Sequence, residues 1–219
     1  QSPTGAIMSL KRRLQLIDWA VSKKAWIVED DYDSEFRYRG QPLAALQGLV
    51  KNAPVLYMGT FSKVLAPGLR LGYLVVPEEL IETFSRGRRS VDTHSPIPLQ
   101  AATHMFIDEG HFTTHIRRMR SLYSDRQNLF LQAAKKYLGD VVQLSPSDSG
   151  MHLVGKISPQ QDDQALSIAA QEAGFVVPAL SQHYLGKPDR QGLIFGYACV
   201  PGEEMDSKVK QLANTLQAN

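Results

Sequence analysis

Cysteine is almost missing from this chain: Cys199 is the single one among 219 residues. One thiol makes no internal disulfide and no multi-cysteine metal site. An excess of one charge is missing too. The 24 Lys and Arg against 22 Asp and Glu leave a formal net charge of +2, too little to argue for nucleic acid by itself. No apolar run approaches the roughly 20 residues of a membrane span, and the start does not read as a signal peptide. Repeats, low-complexity tracts and flexible linkers are also lacking. What is there is 43% hydrophobic and 21% charged residues, neither disordered nor membrane-like. The length allows one large domain, or a large and a small one, with a core that needs no cross-links. A soluble, cytoplasmic globular protein is expected.

The order of elements points to an α/β fold followed by a change of texture. Ser2-Pro3-Thr4-Gly5 makes a turn, and Ser9 caps a helix in which Leu10, Leu14, Ile17 and Val21 recur at helical spacing. Ala25–Val28, Val55–Met58 and Leu71–Val76 are apolar runs without alternation, as expected of strands buried on both faces of a mostly parallel sheet. Helices are predicted from Glu78 to about Arg86, with Gly87 as the stop, and from Pro98 to Asp108, closed by Gly110. A long helix starts at His111 and stops at Gly139. Beyond it, Val141–Leu144, Met151–Val154, Val176–Val177 and Leu193–Cys199 read as strands. Gln161–Ala173 and Glu203–Gln217 read as helices. The predicted division is 1–110 for the α/β part, 111–139 for a connecting helix and 140–219 for a small α+β domain.

Chemistry-bearing residues gather at strand ends, where ligands bind in α/β sheets. Asp30 and Tyr32 follow the first strand, Thr60-Phe61-Ser62-Lys63 follows the second, and Arg70 opens the third. Lys63 lies 33 residues beyond Asp30, and Arg70 lies seven beyond Lys63. A lysine flanked by hydroxyls, a nearby arginine and an acidic strand end suit an anionic aldehyde with a basic ring nitrogen. Pyridoxal phosphate has those properties: its aldehyde takes an amine, its ring nitrogen a carboxylate, its phosphate Arg and hydroxyl donors. Taken alone, Lys63 reads as an ordinary loop lysine. Only its company argues otherwise.

Two long motifs carry a family resemblance. Val28-Glu29-Asp30-Asp31-Tyr32-Asp33-Ser34-Glu35-Phe36-Arg37-Tyr38 is one, and the run from Gly59 through Lys63 and Arg70 to Tyr73 is the other. Together with Glu109–Arg120 and Gly150-Met151-His152-Leu153, they resemble the aminotransferase-like domain of the MocR subfamily of GntR-type transcriptional regulators. Plain fold-type I aminotransferases share the Ser-x-Lys and the arginine seven positions on, but usually place the tyrosine three residues after the aspartate. Here it is two. The resemblance implies the C-terminal part of a fold-type I large domain, within 1–110, plus a small α+β domain. It implies Lys63 as the Schiff-base lysine, Asp30 on the pyridinium nitrogen and Tyr32 on the ring hydroxyl. Arg70, Thr60 and Ser62 are implied for the phosphate, and Ser2 stands where aminotransferases carry a cofactor-contacting Asn. The same resemblance implies a homodimer, and an effector that is an amino acid, an amine or pyridoxal phosphate itself. DNA would be met only through an N-terminal winged-helix domain that this chain does not contain. The chain is accordingly expected to be a C-terminal portion of a longer regulator, with an incomplete cofactor pocket.

One departure bears on the ligand. Enzymes of this fold carry a carboxylate-binding arginine in the last strand, and Ile194 occupies the corresponding place. Arg190 is the nearest guanidinium in sequence and is the candidate effector contact. A genuine aminotransferase acting on an amino acid is the competing reading, and a silent dimerisation module is a third. His111 and His115 stand one helical turn apart without a third ligand, so no metal site is expected. The arginine clusters at 86–89 and 117–120 read as solvated helix faces or intersubunit contacts, and Cys199 as a small buried hydrophobe.

Overall fold

The computed structural model describes residues 1–94 and 96–218. The chain divides into two compact units. The first comprises Met8–Glu35 and Gln41–Arg117; the second comprises Gln1–Ile7, Phe36–Gly40 and everything from Arg118 on.

In the first unit, helix α1 spans Leu10–Lys23 and starts as its sequence predicts, with the Ser9 hydroxyl accepting from the Arg12 amide at 3.4 Å. Three strands follow: β1 (Ile27–Asp31), β2 (Val55–Thr60) and β3 (Gly72–Val75). β1 runs parallel to β2, with Asp30 opposite Met58 and Asp31 opposite Gly59, whereas β3 pairs antiparallel to β2. A short helix α2 (Leu46–Leu49) lies between β1 and β2 in sequence. Its Leu46 joins Ile17, Ala53 and Val55 in a small buried cluster. The sheet is not buried on both faces as expected. In β1 the residues alternate, with Val28 61% exposed, and every residue of β3 is exposed.

Helix α3 (Ile81–Val91) runs through Gly87 instead of stopping there. A glycine inside a helix costs only about 1 kcal/mol, and here Glu82–Arg86 and Arg88–Asp92 ion pairs at i, i+4 spacing flank it. Helix α4 (Ile97–Asp108) precedes Gly110, whose positive φ of 79° ends it as read from the sequence. The long helix α5 (His111–Tyr137) begins next.

The second unit is built on β4 (Val142–Gln143), β5 (His152–Ile157) and β6 (Gly192–Gly196), all antiparallel in the order β4-β5-β6. Helices α6 (Asp163–Glu172) and α7 (Met205–Gln217) and the latter part of α5 surround a core that includes Phe130, Leu138, Leu153, Phe195 and Leu212. Each such side chain contributes about 1.5–3 kcal/mol by leaving water. Val176–Val177 is not a strand; only an isolated bridge, Ala179 to Leu193, and the Ile194 amide on the Pro178 carbonyl (2.9 Å) run alongside β6 there. Cys199 is exposed, against the expectation of burial.

The Phe36–Gly40 segment belongs to this unit through specific bonds. Gly150 donates to the Phe36 carbonyl at 3.0 Å, Tyr38 donates its amide to the Asp148 carbonyl at 2.8 Å, and its hydroxyl donates to the Gly150 carbonyl. The fully buried Tyr197 hydroxyl meets the same carbonyl at 2.7 Å and accepts from Gln127 at 2.9 Å. The Phe36–Tyr38 and Asp148–Gly150 segments are thus brought together in the fold. His152 in turn bonds the Pro3 carbonyl at 2.7 Å, and the 1–5 turn closes through Gly5 to Gln1 at 2.7 Å.

Candidate functional site

The first unit assembles six of the eight residues singled out above. Asp30 is the penultimate residue of β1, not a turn residue, because pairing with β2 continues as far as Asp31 and Gly59. Alternation then sets Asp30 on the opposite sheet face from Glu29 and Asp31. Glu29 is occupied elsewhere: its carboxylate accepts from the Leu46 and Gln47 amides at 2.9 and 3.2 Å, capping α2. Thr60 ends β2, and its hydroxyl accepts from the Ser62 amide at 3.1 Å. That bond fixes the turn into Ser62 and Lys63.

The loop from Thr60 to Arg70 is tied at several points. Phe61 donates to the Leu71 carbonyl at 3.0 Å, and Leu65 donates to the Phe61 carbonyl at 2.9 Å. His115, from α5, bonds the Val64 carbonyl at 2.9 Å. Aromatic rings back the loop: Phe61 lies 5.6 Å from Tyr73 and 6.4 Å from Phe112, centroid to centroid. A Cβ at Gly59, beneath it, would stand 2.2 Å from Tyr73 Cζ and would have to push that ring aside. At the far end Arg70 holds a left-handed backbone, φ 49°. Such a conformation in a non-glycine residue costs of order 1–3 kcal/mol and clusters at ligand sites.

Asp30, Lys63 and Arg70 are all exposed, and among the described residues none of their side chains makes a hydrogen bond or ion pair. An acid, an amine and a guanidinium, each held at a strand end and each without an internal partner, form a donor set that fits pyridoxal phosphate. The half-buried Thr60 and Ser62 add hydroxyls and Tyr32 a phenol.

Ser2 and Arg190 lie in the second unit. The Arg190 Nε stands 3.6 Å from Asp189, whose carboxylate also accepts from the Tyr184 hydroxyl at 2.5 Å. Those partners hold the Asp189 carboxyl below, and the Tyr184 phenol above, their ordinary ranges, the mutual hydrogen bond being the main cause in each. Arg190 therefore already has an anion. Ile194 is half-buried in β6, opposite Val154. His111 contacts Glu109 at 3.2 Å, and among the described residues no group of three or more His, Cys, Asp or Glu could hold a metal.

Comparison with known proteins gives the family. Residues 1–212 match the family of class I and II aminotransferases. The chain belongs to that family. Relatives include "Probable rhizopine catabolism regulatory protein MocR" of Rhizobium meliloti, 41% identical, covering 100% of this chain and 44% of that one. Another is the uncharacterized HTH-type transcriptional regulator YhdI of Bacillus subtilis, 36% identical over 97% of this chain and 45% of its own. Among solved structures, the α-aminoadipate aminotransferase LysN of Thermus thermophilus, complexed with N-(5'-phosphopyridoxyl)-L-leucine, superposes with a TM-score of 0.89 at 25% identity, covering 100% of this chain and 57% of that one. The chain spans about half the length of the curated relatives it matches. The α/β fold expected from the sequence is that of this family. No helix among the described residues is long and apolar enough to cross a membrane.

Proposed function

We propose that this chain is the pyridoxal-phosphate-binding, effector-sensing and dimerising part of a cytoplasmic MocR-type transcriptional regulator. The observation that carries the reading is the unpartnered trio Asp30, Lys63 and Arg70 at neighbouring strand ends. When bound, pyridoxal phosphate supplies an aldehyde that captures amines and a ring that accepts electrons from the captured carbon. Lys63 would present its amine to that aldehyde. The Asp30 carboxylate would hold the proton on the pyridine nitrogen, each charge favouring the other. Tyr32 would bond the ring hydroxyl, and Arg70, Thr60 and Ser62 would hold the phosphate.

The effector would be an amino acid, an amine or pyridoxal phosphate itself, and DNA would be met through a part of the protein outside this chain. Arg190 is the candidate effector contact: Asp189 lies beside its Nε, and a guanidinium carries further N–H donors. The names of the relatives favour the regulator over an enzyme. The competing enzyme reading is supported by LysN, named an α-aminoadipate aminotransferase, which has the same fold.

The test uses the full-length protein and DNA from upstream of its own gene, in a mobility-shift assay with and without pyridoxal phosphate and a panel of amines and amino acids. Regulation predicts specific DNA binding that the cofactor or an effector changes. No DNA binding, with steady transamination, would replace this reading by the enzyme.

A further inference from the structure

The carboxylate next to Asp30 gathers three donors that the reading above leaves unexplained. Asp31 Oδ1 accepts from the Ser34 amide at 3.1 Å; Oδ2 accepts from the Ser34 hydroxyl at 2.6 Å and from the Tyr57 hydroxyl at 2.8 Å. The first two bonds close a side-chain turn around Tyr32 and Asp33. The third fastens that turn to β2, the strand that leads into Thr60 and Lys63. Gly59 is the residue opposite Asp31, so Tyr57, two residues earlier, reaches the carboxylate diagonally, and its ring lies 6.1 Å from Tyr73. Burial and the Asp31 carboxylate raise the Tyr57 phenol well above its ordinary range.

We propose that Asp31 and Tyr57 are positioning residues that hold the Tyr32 hydroxyl for the cofactor ring. The inference rests on the proposed function, since Tyr32 matters only if the ring binds beside it. Without the Asp31 carboxylate, the turn from Tyr32 to Ser34 loses its two Ser34 bonds and the Tyr57 bond to β2. The backbone carrying Tyr32 is then less restrained, and part of its bond energy to a ligand is spent on ordering it.

The test is a mutant cycle in the full-length protein, with pyridoxal 5'-phosphate as the titrated probe and affinity read from absorbance and fluorescence. Asp31→Ala and Tyr57→Phe should each weaken binding about tenfold, the scale of a lost hydrogen bond to a charged group. In a Tyr32→Phe background the same changes should shift affinity by less than about twofold, because the group they position is gone. Equal weakening in both backgrounds, or none in the parent, would overturn the proposal. Tyr57→Phe keeps the ring packing and carries the test if Asp31→Ala does not fold. A Lys63→Ala arm separates the two claims: binding indifferent to Lys63 sinks the cofactor reading itself.

Discussion

The Phe61 amide donates to the Leu71 carbonyl at 3.0 Å, so the loop bearing Ser62, Lys63 and Arg70 is closed at its base by the sheet's own hydrogen-bond pattern. Its ends do not need the ligand to find each other. What a ligand would supply is charge neutralisation for side chains whose backbone is already set in place.

The tightest point under that loop is Gly59. Adding a single methyl there, in Gly59→Ala, should destabilise the protein by about 1–3 kcal/mol through overpacking against Tyr73. Combining it with Tyr73→Leu should recover part of that cost. Urea unfolding of the two single variants and the double variant measures the coupling, and strictly additive losses would refute the clash.

Asp163 is fully buried, and its Oδ2 accepts from the Ser181 and Gly192 amides at 2.9 and 3.0 Å. Asp163→Ala strands both donors and should cost on the order of 2–5 kcal/mol. Asp163→Asn keeps an acceptor oxygen and should cost less. Thermal unfolding ranks the pair, and an alanine variant within about 0.5 kcal/mol of the parent would contradict the assignment.

Much of this was legible in the sequence, and the exceptions share a cause. Ser9 and Gly110 mark helix ends through their own side-chain and backbone chemistry, and the structure uses both. Helix α2 was missed because its cap is Glu29, which lies 17 residues before Leu46 in the chain. No local pattern reveals such a partner. The antiparallel β3 reads like its parallel neighbours, since direction is not written in an apolar run. The places of Thr60, Lys63 and Arg70 beside strand ends were legible because strand ends are marked by abrupt changes in polarity, whereas Asp30, read as following β1, lies inside it. The Asp31–Tyr57 bond was not, because the two residues are 26 apart and meet only through strand register.

The raised Tyr57 phenol gives a pH dependence with a definite sign. The folded protein keeps this proton above pH 10, where an unfolded tyrosine, with its ordinary value near 10, begins to lose it. The contribution is thus fully present below pH 10 and is lost as pH climbs beyond it. Tyr57→Phe should flatten the alkaline fall in stability. Denaturant midpoints between pH 8 and 11 check this, and identical alkaline slopes in parent and variant would refute it.

If the aliphatic Ile194 stands where a substrate carboxylate would otherwise be gripped, amino acids bind without the orientation that transamination needs. Poor alignment of that kind lowers rate by roughly 10²-fold or more. The full-length protein should therefore turn over amino acids far below about 10 per second, a common enzymatic rate, and Ile194→Arg should raise the rate. Single-turnover absorbance with an amino-acid panel decides the matter; a parent already at ordinary enzyme rates contradicts it.

The central claim is that Lys63 is the residue that captures the cofactor. The most direct measurement is borohydride reduction of the full-length protein loaded with pyridoxal phosphate, followed by peptide mapping by mass. The account predicts a single phosphopyridoxyl label on the peptide containing Lys63, and loss of both the label and the visible absorption band in Lys63→Ala. A label on another lysine, or a band that persists unchanged in Lys63→Ala, would contradict it.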